Sequence, residues 1–172
     1  HPVNLGQGAA LQTGFAYALT HPTMRYVITF DSDGQHRVED ALSLLETARR
    51  SEVDVVLGSR FLAPVSDVPR ARRAVLRAGI AFTRATTGLD VTDTHNGLRV
   101  LTRTALSRLR LDLPRMAYAS ELLSAIVPNG LSYVEVPTTV VYTDYSRAKG
   151  QRNSNSLNIL FDLAVRRLRS AR

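Results

Sequence analysis

One short segment, residues 27–36, constrains the fold of this chain more than any other. Its apolar and β-branched start predicts a buried strand, and two carboxylates, Asp31 and Asp33, follow that strand directly. In open α/β sheets, ligands bind outside the carboxyl ends of the strands. Because two carboxylates beside a glycine turn offer hard oxygen donors, the segment predicts a site for Mg²⁺ or Mn²⁺ that carries a phosphate-containing ligand.

The elements around this segment alternate between helix and strand. Apolar spacing and Gly or Pro boundaries predict helices over residues 7–20 and 38–50 and strands over residues 25–30 and 53–57. The alternation favours parallel strands joined by right-handed crossovers, and therefore an α/β fold. The same criteria predict further strands over 98–102 and 131–136, the latter continuing over 138–142, and further helices over 70–86, 117–127 and 154–169.

Length and composition set outer bounds on the class of protein. With 172 residues, 44% of them hydrophobic, the chain is large enough for one domain with a substantial core, so we expect a single domain over residues 1–172. The absence of cysteine excludes disulfides and thiol catalysis. No apolar run has the length of a membrane span and no signal peptide is visible, so we expect a cytoplasmic protein.

The net charge of +7 favours anionic partners such as nucleic acid, anionic lipid or phosphorylated substrates. The predicted helix 70–86 concentrates part of this charge, because four of its five arginines fall within a sector of about 60° opposite an apolar face. Such a helix suits the surface of a membrane. The alternative is an ordinary core-facing helix with a solvated basic face. The four arginines in this sector are Arg70, Arg73, Arg77 and Arg84.

Three further segments carry candidate site residues. Arg60 follows the strand 53–57 and offers a forked donor to a phosphate, or else it is a surface arginine at the sheet edge. Asp93, His95 and Arg99 lie within seven residues, which is typical either of a site or of a turn centred on Asn-Gly. The loop 142–151 mixes aromatic residues, cations and glycine, as loops that close on anionic ligands do, although a polar surface loop would read the same way.

Taken in order, these segments resemble the family 2 glycosyltransferases, and most of all those that use dolichyl or polyprenyl phosphate. The resemblance spans almost the whole chain. It is carried by Asn4-x-Gly6-x-Gly8, Asp31-Ser32-Asp33-Gly34-Gln35-His36, Gly58-Ser59-Arg60-Phe61, Thr87-Gly88-Leu89-x-Val91-x-Asp93, Asn96-Gly97-Leu98-Arg99, Glu121-Leu122-Leu123, Val134-Glu135-Val136-Pro137 and Lys149-Gly150-Gln151.

The resemblance implies a GT-A fold, a Rossmann-like α/β sandwich with a mostly parallel central sheet and helices on both faces. It implies inverting transfer of a sugar from a UDP- or GDP-sugar to a polyprenyl phosphate or a growing glycan. It also implies Mg²⁺ or Mn²⁺, a helix 70–86 at the membrane surface, and a peripheral location on the inner face of the cell membrane. The implied roles are metal binding by Asp31, Asp33 and Gln35, donor or phosphate binding by Asp31, Asp33, Arg60, Arg99 and Lys149, and catalysis by Asp93 and Glu121.

The chain departs from this family at its start. Members normally begin with a strand and loop that bind the nucleotide base, and we expect that the first strand or strands are missing here. The donor site would then lack a wall, so we expect this polypeptide alone to bind the donor poorly and to turn over little or nothing.

Three alternatives remain open. The chain could be a non-catalytic, basic module at the membrane surface that derives from such an enzyme. It could be a phosphatase of the haloacid dehalogenase type, with Asp31 as the nucleophile. A nucleic-acid binder would explain the charge, but Asp31 and Asp33 would repel phosphate without a metal, so we expect no nucleic-acid partner.

Overall fold

The structure is a computed structural model of the chain, and it describes residues 1–62, 80–81, 84–85, 88–111 and 118–141. Within these ranges it contains four strands and four helices of defined extent. In chain order they are α1 (Gln7–Leu19), β1 (Tyr26–Thr29), α2 (Val38–Ser51), β2 (Val55–Ser59), β3 (Arg99–Thr102), α3 (Arg103–Arg108), α4 (Tyr118–Ile126) and β4 (Tyr133–Pro137).

The strands form one sheet with the order β1-β3-β2-β4. Strand β2 pairs with β4 in parallel, whereas β3 is antiparallel to both of its neighbours, β1 and β2. Strands β1, β2 and β4 therefore share one direction, but two of the three strand pairings are antiparallel, so the sheet is mixed. Strands β1 and β2 are parallel, as predicted, but they do not pair with each other, because β3 lies between them. Because β3 runs in the opposite direction, its first residue, Arg99, lies at the same edge of the sheet as the ends of β1 and β2.

Helices cover both faces of the sheet, as predicted. On one face, α1, α3 and α4 pack against alternate strand residues that include Val55, Leu57 and Leu101. On the other face, α2 packs against the intervening residues Val56 and Val100. Because β2 is buried on both faces, its sequence is a continuous small and apolar run without polar alternation.

The sequence predicts helix α2, but the residues that the helix buries are not all those that the apolar spacing indicates. Glu39 and Asp40 lie in its first turn and Arg49 and Arg50 in its last, which favours the helix dipole at both ends. The buried residues are Ala41, Leu44 and Ala48, whereas Val38 and Leu42 are 61% and 58% exposed.

One predicted strand is shorter than expected, and one helix was not predicted. The continuation of the last strand over 138–142 is wrong for the described residues up to 141, where Val140 makes only an isolated bridge with His36. The backbone N–H of Thr139 donates to the Asp40 side chain at 2.8 Å, so this amide is not available to a neighbouring strand. Helix α3 was not predicted, and Thr102 caps it by accepting a hydrogen bond from the Ala105 N–H at 3.2 Å.

Several predictions lie outside the described residues. These are most of the helix 70–86, the loop 142–151 with Lys149, and the helix 154–169. Residues 80–81 and 84–85, at the end of the first of these, are helical. None of the helices in the described ranges combines the length and apolar character that crossing a bilayer requires.

Candidate functional site

The edge of the sheet at which β1 and β2 end and β3 begins gathers most of the predicted site residues. Asp31 lies just beyond the end of β1, and Arg60 just beyond the end of β2. Arg99 opens β3, opposite Thr29 of β1 and Leu57 of β2. The segment that leads into β3 carries Asp93, which pairs with Arg60. The antiparallel insertion of β3 is therefore what brings the two halves of the site together.

Asp31 presents an ionised, partly exposed carboxylate at this edge of the sheet. Its side chain is 38% exposed, and it accepts hydrogen bonds from Gln7 Nε2 at 3.2 Å and from His36 Nε2 at 3.3 Å. The hydrogen bond from His36 lowers the pKa of Asp31, burial opposes this, and the charge of Arg99 adds to the lowering. Asp31 is therefore held ionised and partly open, as a metal ligand needs to be.

Asp33 and Gln35 lie on the exposed turn that follows. The Asp33 Oδ1 accepts a hydrogen bond from the Gln35 N–H at 3.1 Å, and Gly34 between them has a φ of 77°, which favours glycine. The Gln35 carbonyl accepts from the Val141 N–H at 3.0 Å, so the turn is tied to the chain beyond β4. The turn therefore fixes the backbone at Asp33, two residues after Asp31, and leaves Asp33 exposed to solvent.

The donor set fits Mg²⁺ or Mn²⁺ as a partial site. Within the described ranges, no group of three or more His, Cys, Asp or Glu side chains is placed to hold a metal ion by itself. Mg²⁺ is commonly bound through one or two carboxylates, with substrate phosphates and water completing its shell. Asp31 and Asp33 supply carboxylates of that kind, and a phosphate-bearing ligand would have to supply the rest.

Arg60 and Asp93 form a buried ion pair in which both oxygens of the carboxylate are used. Arg60 Nε donates to Asp93 Oδ2 and Nη2 donates to Oδ1, both at 2.6 Å, and the Arg60 backbone N–H donates to Oδ2 at 3.1 Å. The two residues are 6% and 3% exposed. The alternative of a surface arginine is therefore wrong. The pairing also revises the predicted role of Arg60, because its fork is directed at Asp93.

Asp93 is poorly suited to accept a proton near neutral pH. Burial opposes its ionisation, but the hydrogen bonds and charge of Arg60 more than offset this, and they hold the pKa of Asp93 below its usual range. An efficient general base has a pKa near the working pH. The neighbouring His95 is mostly buried, and burial lowers its pKa, with the charges of Arg60 and Arg99 acting in the same direction. The proton-accepting role of Asp93 stays a prediction that this geometry disfavours.

Arg99 is a buried cation at the centre of the site. It is 2% exposed, its Nε donates to the Asn96 carbonyl at 3.0 Å, and its Nη1 lies 3.5 Å from the Ala119 carbonyl. Burial lowers the pKa of Arg99, whereas Tyr118, Asp93 and Asp31 raise it. Among the described residues, no carboxylate lies within ion-pair distance of Arg99. Such a charge favours an anionic ligand beside it.

Glu121 is the second predicted catalytic carboxylate. It lies in the first turn of α4, close in sequence to Ala119, whose carbonyl faces Arg99. Its side chain is buried, with the residue 5% exposed. The structure thus places Glu121 on the helix that borders Arg99, and its role in proton transfer stays a prediction.

Glu135 adjoins the site through Thr92 and Asp93, and the sequence analysis assigned it no role although its motif carries part of the resemblance. Its carboxylate accepts hydrogen bonds from the backbone N–H groups of Thr92 and Asp93 and from the Thr92 hydroxyl. Burial raises the pKa of Glu135, and these hydrogen bonds oppose the rise. The signal in the sequence is a lone acidic residue within the apolar strand Val134-Glu135-Val136.

Comparison with known proteins identifies the family. The model of glycosyl transferase family 2 matches residues 1–110. A UDP-N-acetylglucosamine–dolichyl-phosphate N-acetylglucosaminyltransferase of Methanococcus voltae is 33% identical over 172 residues, which cover 96% of this chain and 67% of that protein. An undecaprenyl-phosphate mannosyltransferase of Micrococcus luteus is 28% identical over 149 residues, which cover 84% of this chain and 60% of that protein.

Solved structures agree on the fold. Glucosyl-3-phosphoglycerate synthase of Mycobacterium tuberculosis, crystallised with Mn²⁺, UDP and glucosyl-3-phosphoglycerate, superposes with a TM-score of 0.63 at 19% identity. The match covers 96% of this chain and 56% of that one, so the chain spans little more than half of the solved protein. This likeness confirms the GT-A prediction. Because the family model covers more than half of the chain and the Methanococcus voltae relative matches nearly all of it, the chain belongs to glycosyl transferase family 2.

Proposed function

We propose that this chain carries the transfer site of an inverting glycosyltransferase that moves a sugar from a UDP- or GDP-sugar to a polyprenyl phosphate. The observation that carries the proposal is that one edge of the sheet holds both an anionic and a cationic side chain. Asp31 offers an ionised, partly open carboxylate, and Arg99 offers a buried cation without a direct carboxylate partner among the described residues. The first suits a metal-bound diphosphate and the second suits an acceptor phosphate.

In this proposal Asp31 and Asp33, with Gln35 as a further oxygen donor, hold Mg²⁺ or Mn²⁺ and the donor diphosphate. When bound, the metal would supply Lewis-acid stabilisation of the negative charge on the leaving diphosphate. His36 and Gln7 keep the Asp31 carboxylate ionised and oriented. The structure of the mycobacterial enzyme with Mn²⁺ and UDP supports this arrangement by analogy of fold only.

The transfer step itself needs little proton chemistry from the protein. An oxygen of the acceptor phosphate attacks the anomeric carbon, and the bond from that carbon to the diphosphate oxygen breaks, with its electron pair leaving on the nucleoside diphosphate. A phosphate is already anionic at neutral pH, so no side chain has to remove a proton. Asp93, with its lowered pKa and both oxygens bound, fits such a reaction better than one with a hydroxyl acceptor. A glycan acceptor would instead require Glu121 to act as the base.

The lipid acceptor also motivates the proposed location. The two relatives are named for transfer to dolichyl phosphate and undecaprenyl phosphate. We propose that the chain works peripherally on the inner face of the cell membrane, with the basic helix predicted over 70–86 at the lipid surface and Lys149 closing on the donor phosphates. Arginines beside an apolar face suit an interface that contains anionic lipid.

Calorimetric titration of UDP and GDP into the chain, with and without Mn²⁺, tests the site. We expect weak binding that requires Mn²⁺ and is lost in Asp33→Ala. Glu46→Ala is the matched control, because it removes an exposed carboxylate of α2 instead. Nucleotide binding that does not depend on Mn²⁺, or that is unchanged in Asp33→Ala, would contradict the proposed site. A non-catalytic surface module predicts no metal-dependent nucleotide binding, and a phosphatase predicts phosphate release from small phosphoesters.

A further inference from the structure

We propose that Glu135 is a positioning residue of the transfer site, which fixes the backbone at Thr92 and Asp93 and thereby aims the Asp93 carboxylate at Arg60. The inference rests on the proposed function, because it takes the buried Asp93–Arg60 pair, at the same edge of the sheet as Asp31 and Arg99, as part of the framework that shapes the transfer site. In this role Glu135 acts through its contacts with Thr92 and Asp93 and does not need to contact the donor or the acceptor.

The contacts of Glu135 are directed at one short piece of backbone. Its Oε1 and Oε2 accept from the Thr92 N–H at 2.9 and 2.8 Å, and Oε1 also accepts from the Asp93 N–H at 3.1 Å. Its Oε2 further accepts from the Thr92 hydroxyl at 3.0 Å. Hydrogen bonds from backbone N–H groups to a carboxylate are about twice as strong as those between neutral groups. Two consecutive peptide units are thus held by one side chain.

This anchor is continuous with the ion pair. Glu135 lies on β4, directly beside Leu57 of β2 in the parallel ladder, and Arg60 follows the end of β2. The Ser59 and Thr92 hydroxyls make a second link between the end of β2 and this loop, at 2.6 Å. Strand β4, the loop and the end of β2 therefore form a closed ring of contacts, in which the direction of the Asp93 side chain follows from where its own N–H is held.

Strand β4 also supplies a matched control. Tyr133 lies two residues before Glu135, on the same face of the strand, and its hydroxyl bonds both the N–H and the carbonyl of Asp90 at 3.1 and 3.3 Å. Tyr133→Phe removes a tether between the same strand and the same loop, but at a point before Thr92 and Asp93. If Glu135 served only to tether strand β4 to this loop, Tyr133→Phe would have the same effect as a substitution of Glu135.

The test follows the Arg60 Nε–H group by ¹⁵N NMR in the chain, with its signal assigned by its loss in Arg60→Lys. In Glu135→Ala we expect hydrogen exchange at Arg60 Nε to accelerate by about 10-fold or more, because the bonded geometry at Asp93 loosens. We expect a smaller acceleration in Glu135→Gln, which keeps one acceptor oxygen, and no change in Tyr133→Phe. Unchanged exchange in both Glu135 variants would overturn the proposal, and Glu135→Gln keeps the test open if Glu135→Ala does not fold.

Transfer kinetics give a second readout of the positioning role. In an active preparation we expect Glu135→Gln to lower kcat by about 10- to 100-fold with little change in the donor KM, since misplacement affects the transition state. Equal loss of kcat in Tyr133→Phe would overturn the positioning role. If nucleotide binding to the chain proves independent of Mn²⁺ while the exchange result holds, the proposed function fails and the anchoring of Asp93 by Glu135 stands.

Discussion

The Asp31 carboxylate lies where the first side-chain atom of residue 97 would stand, and Gly97 leaves that space open. A Cβ built at position 97 would overlap one Asp31 oxygen and lie 3.0 Å from Asp31 Cγ. The Gly97 carbonyl in turn accepts a hydrogen bond from the Thr29 hydroxyl at 2.6 Å, which brings the two segments together. The glycine of the Asn-Gly-Leu-Arg segment is therefore needed beside the Asp31 carboxylate, and not only for a turn.

Gly97→Ala should weaken nucleotide binding with little cost in stability. The added methyl meets the end of a short side chain, so Asp31 can rotate away, but its carboxylate then leaves the position held by His36 and Gln7. We expect the Kd for UDP with Mn²⁺ to rise by about 10-fold or more, as for loss of an outer-shell partner of a metal ligand. Gly14→Ala is the control, because nothing lies within 4 Å of its added Cβ. An unchanged Kd in Gly97→Ala would contradict the role of Asp31.

Gly58→Ala, in contrast, should lower the stability of the fold. Its added Cβ would lie 2.9 Å from the Leu98 carbonyl oxygen, which belongs to the backbone of the sheet edge and has little room to move. We expect a loss of about 1–3 kcal/mol in the free energy of unfolding from this overpacking, measured by urea denaturation. A Gly58→Ala variant as stable as the unsubstituted chain would show that the end of β2 is less tightly packed than the structure indicates.

Removing Arg60 should destabilise the chain strongly. Arg60→Ala leaves the Asp93 carboxylate buried without its cation, and breaking a buried pair in this way costs about 3–5 kcal/mol. Asp93→Asn combined with Arg60→Ala should recover part of this loss, because no uncompensated charge then remains. A double-mutant cycle by urea denaturation gives the coupling directly, and a coupling energy near zero would refute the buried pair.

The acid limb of stability should depend on Asp93. Its pKa is lower in the folded chain than in the unfolded one, so its contribution is present above the ordinary value of about 3.9 and is lost as the pH falls through the folded value. In Asp93→Asn we expect the free energy of unfolding to fall less steeply with acid. Glu135 has the opposite sign, because its pKa is raised, so Glu135→Gln should make the rise of stability with pH steeper. Parallel acid limbs in all three chains would contradict both assignments.

Local features of the sequence predicted local structure well, and they failed where the answer depended on distant partners. Helix α1 and the strand before Asp31 lie within one or two residues of their predicted ranges, because glycine and proline boundaries act on the segment itself. The place of β3 between β1 and β2 could not be predicted in this way, since apolar spacing indicates a buried strand but not its neighbours.

The site shows the same division. The carboxylates after β1 were predicted from the strand that delivers them, and the structure places Asp31 at the open edge. The role of Arg60 could not be predicted from its surroundings in sequence, because its partner Asp93 lies 33 residues away and is reached only through the fold. The contacts of Glu135 could not be predicted for the same reason, because the amides that it binds are 42 and 43 residues distant.

Arg99→Met should separate stability from ligand binding. The guanidinium is buried beside backbone carbonyls, and no carboxylate within the described ranges lies at ion-pair distance, so its burial is an electrostatic cost that a methionine avoids. Replacing buried charges by apolar side chains of similar size is often neutral or stabilising, so we expect the free energy of unfolding to change by no more than about 1 kcal/mol. The affinity for polyprenyl phosphate in mixed vesicles should nevertheless fall by about 10-fold or more, since a charge-assisted contact worth about 1.5–3 kcal/mol is lost. Arg108→Met, near the end of α3, is the control for general loss of positive charge. A stable Arg99→Met variant that binds the lipid phosphate as well as the unsubstituted chain would remove Arg99 from the acceptor site.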